Sequence, residues 1–264
     1  MFAQRKIAVA GATGRLGRHV VDVLKAGGYD FVPISRSHGV DVITGEGLAE
    51  ALDGVECVID AATGSSPDQE AATDFFTTAA RNLHAVGEQA GVRRMLVVSI
   101  IGTDRFTAGY GAAKIAHERA MLSGPIPVRV LRAAQFHEFV PELLEWGRQG
   151  DVSYVPKMRT QVVAARTVAE TLAELVNGSS PAPGATGPLI FEIAGPREES
   201  LVDIARLFAA KRGNSVRIEA VSNPADPDRD VNENGGLLPG PGATLGGPTF
   251  AEWLDSDSPS SPWR

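Results

Sequence analysis

Short runs of apolar residues alternate along this chain with longer stretches in which apolar residues recur every three to four positions. Residues 6–10 (KIAVA), 31–34, 55–59, 95–98 and 128–131 are brief and apolar nearly throughout, the pattern of strands buried on both faces of a parallel sheet. The stretch 15–26 carries Leu16, Val20, Val23 and Leu24 on helical spacing, and 48–52 is a shorter helical pattern. A long helix is predicted over 71–90, with Leu83, Val86 and Ala90 on one side and Gly91 as its cap. A further helix, 110–122, is stopped by Ser123-Gly124-Pro125. This alternation of strand and helix predicts an α/β fold, a doubly wound parallel sheet of Rossmann type with a small C-terminal substrate-binding portion.

After Ala133 the rhythm loosens. Helices are predicted over 138–148, 167–176 and 201–211, and strands over 189–193 and 216–220. Residues 179–188 read as a loop, and 223–248, rich in proline, glycine and acidic residues, as an irregular segment. The division expected is a core over 1–135, a smaller substrate or lid portion over 136–254 interleaved with late core elements at 161–195, and a mobile tail at 255–264.

Composition narrows the function classes. At 264 residues, 43% apolar and 22% charged, the chain can bury a full core, and disorder of its bulk is excluded. A formal charge of −7 repels a phosphate backbone, so nucleic acid is not an expected partner. No stretch approaches a membrane span, and the N-terminus lacks the apolar run of a signal peptide, so a cytoplasmic protein without membrane contact is expected. Cys57, the lone cysteine, lies inside an apolar run and reads as a buried strand residue.

The loop Gly11-Ala12-Thr13-Gly14-Arg15-Leu16-Gly17 falls between the first strand and the first helix. There glycine permits a tight turn and a close backbone approach, and the helix N-terminus offers free N–H groups to a pyrophosphate. The spacing is G-x-x-G-x-x-G rather than G-x-G-x-x-G. NAD sites place an acidic residue at the end of the second strand, but this chain has Ser35-Arg36-Ser37. An arginine between hydroxyls suits a 2′-phosphate, so NADP(H) is favoured over NAD(H). Arg15 reads either as a second cationic clamp or as a solvated arginine, and Asp41-Val42 either as an edge of the adenine pocket or as plain loop.

These residues, together with Ala61-Ala62-Thr63, Asn82-Leu83, the MLVVS run ending at Ser99, Tyr110-Gly-Ala-Ala-Lys114, Leu131 to Phe136 and FEIAGP at 191–196, resemble the NmrA-like, atypical or extended branch of the short-chain dehydrogenase/reductase superfamily. The resemblance covers the chain nearly to Ala210. It implies that Ala61, Ala62, Thr63 and Ala133 border the cofactor and that Lys114 holds the nicotinamide ribose. It also implies a catalytic hydroxyl two residues beyond Ser99, where this chain has Ile101; Ser99 itself or Thr103 is left to take that place.

Tyr110 and Lys114, four apart on one helix face, suit carbonyl reduction: an ammonium near the phenol would lower its pKa and ready it to protonate a carbonyl oxygen. Gln135, Phe136 and His137 are expected to line the substrate pocket, with His137 either an auxiliary acid or base or a structural histidine. His19, His84 and His117 lack metal-ligand spacing and receive no chemistry, and no metal site is expected. The leading expectation is an NADPH-dependent oxidoreductase acting on a small carbonyl or quinone-like molecule, with a homodimer left open. The alternatives are a non-catalytic NADP(H) sensor, or a nucleotide-sugar epimerase or dehydratase, which the chain's length disfavours.

Overall fold

The apolar runs become the strands of one parallel sheet in the computed structural model, which describes residues 5–178, 189–213 and 215–256. In chain order the first half forms β1 (Lys6–Ala10), α1 (Gly17–Ala26), β2 (Asp30–Ile34), α2 (Leu48–Ala51), β3 (Cys57–Asp60), α3 (Gln69–Gln89), β4 (Arg94–Ile100), α4 (Gly109–Leu122) and β5 (Val128–Ala133). There follow α5 (Val140–Trp146), β6 (Arg148–Gln149), β7 (Val152–Pro156), β8 (Arg159–Thr160), α6 (Ala165–Asn177), β9 (Leu189–Ala194) and β10 (Glu199–Ser200). The last elements are α7 (Leu201–Lys211), β11 (Arg217–Val221), α8 (Arg229–Glu233), β12 (Thr244–Leu245) and α9 (Phe250–Ser256).

Among the described residues seven strands make the main sheet, in the order β12-β9-β5-β4-β3-β1-β2, with every neighbouring pair parallel. Alternate side chains of each strand feed separate cores. Ile7, Val9, Ile59, Leu96 and Leu131 pack with Val20 and Leu24 of α1 and Val168 and Leu172 of α6. Ala8, Val58, Met95, Val97 and Val130 pack with Leu83 of α3 and Met121 of α4. Both faces are covered, which is why these strands are apolar without alternation. β2 lies on one side of β1 and β3 on the other, so the crevice at the carboxyl ends of β1 and β3 is the topological switch point where such sheets bind ligands.

The C-terminal portion has its own core, in which Val140 and Leu144 of α5, Val155 of β7, Ile204 and Phe208 of α7 and Phe250 and Leu254 of α9 meet. Three features here escaped the sequence pattern. β7 pairs with β6 and β11, but its buried face is Ser153 and Val155, and a buried serine hides the alternation; its hydroxyl donates to the Leu144 carbonyl at 2.8 Å. The segment read as irregular contains α8 and β12, and β12 exists because two residues add to the free edge of β9. Finally, α9 starts from a capping box: the Thr249 N–H donates to Glu252 at 2.8 Å and the Glu252 N–H to the Thr249 hydroxyl at 3.3 Å. The loop read at 179–188 and all but the start of the tail read at 255–264 lie outside the described residues. The helix expected over 138–148 is a short turn, His137–Phe139, followed by α5. No described helix is long and apolar enough to cross a membrane.

Candidate functional site

The three loop glycines have different physical reasons. Gly11 has φ +76°, and a Cβ there would sit 2.7 Å from the Ala61 carbonyl oxygen. At Gly17 a Cβ would lie 2.0 Å from the Gly11 carbonyl oxygen, so glycine is what lets α1 start against the turn. Gly14 is the exception: its added Cβ meets only the Gly11 oxygen, at 3.1 Å. The protein therefore leaves space over Gly14, where a pyrophosphate would approach.

The loop is pinned to β2 by the Gly11 and Ala12 N–H groups, which donate to the Ile34 carbonyl at 3.0 and 3.2 Å. Among the described residues the N–H groups of Thr13, Arg15, Leu16 and Gly17 have no such partner, and α1 has no acidic residue in its first turn. Free donors at the positive end of a helix fit an anion.

Around this cradle the sequence-derived residues divide. Arg36 is exposed at the carboxyl end of β2, with no ion pair among the described residues. Ser35 and Ser37 flank it, hydrogen-bonded to each other at 2.9 Å, and the Ser35 hydroxyl also lies 2.7 Å from His38 Nδ1. Asp41 folds onto its own loop, accepting from the Ile43 N–H at 2.7 Å, and Asn82 of α3 donates to the Val42 carbonyl at 2.8 Å. Arg15 does not stand free as a clamp; its guanidinium is ion-paired with Glu142 of α5. Ala61 continues β3 by donating to the Ala10 carbonyl at 3.0 Å, and Ala133 closes β5, buried.

Tyr110 and Lys114 share a face of α4 but do not act on each other as expected. The Tyr110 hydroxyl lies 3.0 Å from the Thr63 hydroxyl. Lys114 is buried, and its ammonium donates to the Val98 carbonyl at 2.7 Å and lies 2.9 Å from His117 Nδ1. Burial raises the Tyr110 phenol above its usual pKa, with Thr63 opposing. The expected lowering by Lys114 is thus corrected: the lysine is drawn inward by the Val98 carbonyl and His117, and burial governs the phenol. Phe76 of α3 sits among them, edge-on to Tyr110 at 5.8 Å between centroids and 4.4 Å from the lysine nitrogen.

The expected third hydroxyl is also reassigned. Thr103 is fully buried and donates to the Gly111 carbonyl at 2.9 Å, fastening the β4–α4 turn to the helix. The Ser99 hydroxyl is buried without a hydrogen-bond partner among the described residues. The hydroxyl that meets Tyr110 belongs to Thr63. The family resemblance implied only a cofactor-border role for Thr63, since nothing in a local pattern reports a contact across 47 residues.

Of the three residues expected in the substrate pocket, Gln135 and Phe136 are half-buried, and Gln135 accepts from the Thr160 hydroxyl. Of the two roles left open for His137, its surroundings match the structural one, and its place in the pocket lining is what the packing corrects. His137 is fully buried, lies against Phe250 and Trp253 with ring centroids 5.4 Å from each, and its Nε2 is 3.2 Å from the Pro248 carbonyl oxygen.

Burial pushes the His137 pKa down to about 3, so the ring stays neutral and its Nε2–H donates to that carbonyl. In the unfolded chain it takes up a proton below about 6.5, where the folded chain does not. Its contribution to stability is therefore complete above that pH and is lost as pH falls toward 3. Urea denaturation of wild type should lose up to about 1.4 kcal/mol more per pH unit over this window than His137→Phe. Equal pH slopes for the two proteins would refute the assignment.

A cavity of about 360 Å³ lies where β4, β5 and β9 end, lined by Ile101, Arg105, Arg132, Glu192 and Leu238 among others. It includes neither Tyr110 nor Thr63. The segment that covers it also closes on the β4–α4 turn: Asp228 accepts from the Thr107 and Ala108 N–H groups at 3.0 and 2.9 Å and from the Thr107 hydroxyl at 2.7 Å. A Cβ on Gly102 would meet the Gly236 oxygen at 2.1 Å.

Residues 11–124 match the profile of a family described as NAD(P)H-binding. No curated protein sequence matches the chain. Among solved structures, a short-chain dehydrogenase/reductase superfamily protein from Agrobacterium tumefaciens with bound NAD has a TM-score of 0.65 at 19% identity, covering 95% of each chain. UDP-N-acetylglucosamine 4-epimerase from Bacillus cereus has a TM-score of 0.66 at 17% identity, covering 95% of this chain and 94% of its own. dTDP-4-dehydrorhamnose reductase from Bacillus anthracis, in complex with NADP, has a TM-score of 0.66 at 16% identity, covering 95% of this chain and 97% of its own. Residues 11–124 of this chain are thus similar to an NAD(P)H-binding family, and the whole has a Rossmann fold like that of the short-chain dehydrogenase/reductase protein above.

Proposed function

We propose that the chain is an NAD(P)H-dependent oxidoreductase that reduces a small carbonyl or quinone-like substrate, with NADPH preferred. The observation that carries this reading is the Thr63–Tyr110 hydroxyl pair at 3.0 Å, set beside β3 in the same crevice as the glycine cradle. A bound nicotinamide cofactor supplies the hydride. The chain's residues do the rest. The free N–H groups at Thr13 and Arg15 to Gly17 hold the pyrophosphate, and Arg36 faces the ribose phosphate. Tyr110 donates its phenolic proton to the substrate oxygen, and Thr63 orients that phenol. Burial keeps the phenol protonated, the state a proton donor needs.

A second reading, a nucleotide-sugar substrate, draws support from the epimerase and reductase just described. Coverage of 94% and 97% of those chains removes length as an argument against it. The deciding experiment follows loss of reduced-cofactor absorbance with quinones, aldehydes, ketones and nucleotide-linked keto sugars, beside calorimetry with NADPH and NADH. Oxidation of NADPH with one of these classes supports the reading. Tight NADPH binding without turnover of any would favour a sensor instead.

The cofactor preference has its own test. Arg36→Ala should cost about 1.5–3 kcal/mol in NADPH affinity, the range for a hydrogen bond to a charged group, and leave NADH unchanged. Equal affinity of wild type for the two cofactors in calorimetry would refute the preference.

A further inference from the structure

Asp60 at the end of β3 and His117 on α4 were given no chemistry by the sequence, yet each is only 1% exposed. They are joined, Oδ2 to Nε2, at 3.0 Å. On the other side of the imidazole, Nδ1 lies 2.9 Å from Lys114 Nζ. An ammonium has only donors, so Nδ1 accepts, and Nε2 must carry the ring proton and donate it to Asp60. The other Asp60 oxygen accepts from the Ala62 N–H at 3.0 Å, next to Thr63. Phe76 closes the slot, stacked on His117 with centroids 4.5 Å apart.

We infer that Asp60 and His117 are positioning residues for Lys114: their hydrogen-bond chain holds the lysine ammonium, charged, in a buried slot between the Val98 carbonyl and the Phe76 ring. The same chain ties the loop that carries Thr63 to the helix that carries Tyr110. That Lys114 also contacts the cofactor rests on the oxidoreductase reading; the hydrogen-bond chain itself does not.

The groups that face Lys114 are Asp60 from β3, His117 and Glu118 from α4, the Val98 carbonyl from β4 and the uncharged Phe76 from α3. Glu118 is itself held by Arg132 of β5 at 2.9 and 2.8 Å. Burial pulls the Lys114 pKa down to about 8, and the charges of Asp60 and Glu118 oppose it. Burial likewise lowers His117, and Lys114 adds to that, which keeps the ring neutral. For Asp60 burial works upward but is outweighed by His117 and the Ala62 N–H, so it stays ionised.

The test uses the whole, cofactor-free protein with its lysine Cε carbons labelled for NMR. The chain has only Lys6, Lys25, Lys114, Lys157 and Lys211, and loss of a signal in Lys114→Met assigns the buried one. In Asp60→Asn the carboxamide cannot accept from both His117 and Ala62, and one opposing charge is gone. The Lys114 signal, expected to titrate near pH 8 in wild type, should then titrate at least about one unit lower. His117→Phe should do the same. His117→Asn, whose oxygen falls near the place of Nδ1, should recover at least about half the shift.

Unchanged titration in Asp60→Asn and His117→Phe would overturn the inference. Should Asp60→Asn fail to fold, unchanged titration in His117→Phe alone would overturn it. NADPH affinity measured over the same pH range separates the two readings. Lys114 titration that moves while NADPH affinity does not would support the positioning chain and count against Lys114 as a cofactor contact.

Discussion

Tyr110→Phe is expected to lower turnover about 10²- to 10⁴-fold while leaving the NADPH dissociation constant unchanged, because the change removes a positioned proton and nothing that touches the cradle. The phenol packs edge-on against Phe76, a contact that phenylalanine keeps, so the fold should hold. Thr63→Val serves as the companion. It removes the hydroxyl that lies 3.0 Å from the phenol but not the acid, so its loss should be smaller, and the two losses should not add. Stopped-flow single turnovers with a saturating substrate give the comparison directly. Undiminished reduction of a quinone by Tyr110→Phe would mean that hydride transfer there needs no tyrosine proton.

Valine at Gly14 should lower NADPH affinity more than 100-fold, roughly the loss of the main phosphate contacts, with little change in melting temperature. The same substitution at Gly17 should fail differently. At Gly14 an added Cβ meets one oxygen at 3.1 Å, whereas at Gly17 it would lie 2.0 Å from the Gly11 oxygen and 2.9 Å from the Ala12 Cα. Backbone atoms of a tight turn cannot yield as a side chain can, so Gly17→Val should cost at least about 1–3 kcal/mol of stability, the usual cost of overpacking. Calorimetric titration of both variants, beside thermal melts, tests the division of labour. Wild-type affinity in a folded Gly14→Val protein would remove the loop from the phosphate site.

Much of the first half of this protein was legible residue by residue. The strands are apolar throughout because helices cover both faces, and α1, α3 and α4 begin and end within two residues of the positions that apolar spacing and the stop signals Gly91 and Ser123-Gly124-Pro125 mark. The glycine loop was legible for the same reason: a turn that needs positive φ and close backbone packing writes itself in a fixed local spacing. β7 was not, because a serine occupies its buried face. Nor was β12, two residues that are a strand only because β9 offers an edge.

The chemistry divides along the same line. Tyr110 and Lys114 share a helical face, so their kinship could be read from a spacing of four, but their partners could not. Thr63 meets Tyr110 across 47 residues, Asp60 meets His117 across 57, and Glu142 reaches Arg15 across 127. Periodicity reports which face of an element a residue occupies; it carries no information about what a distant element sets opposite that face. The assembled sheet alone turned Lys114 inward, gave Tyr110 a threonine partner, and buried His137 among aromatic rings, because each outcome depends on distances that exist only once the strands are ordered side by side.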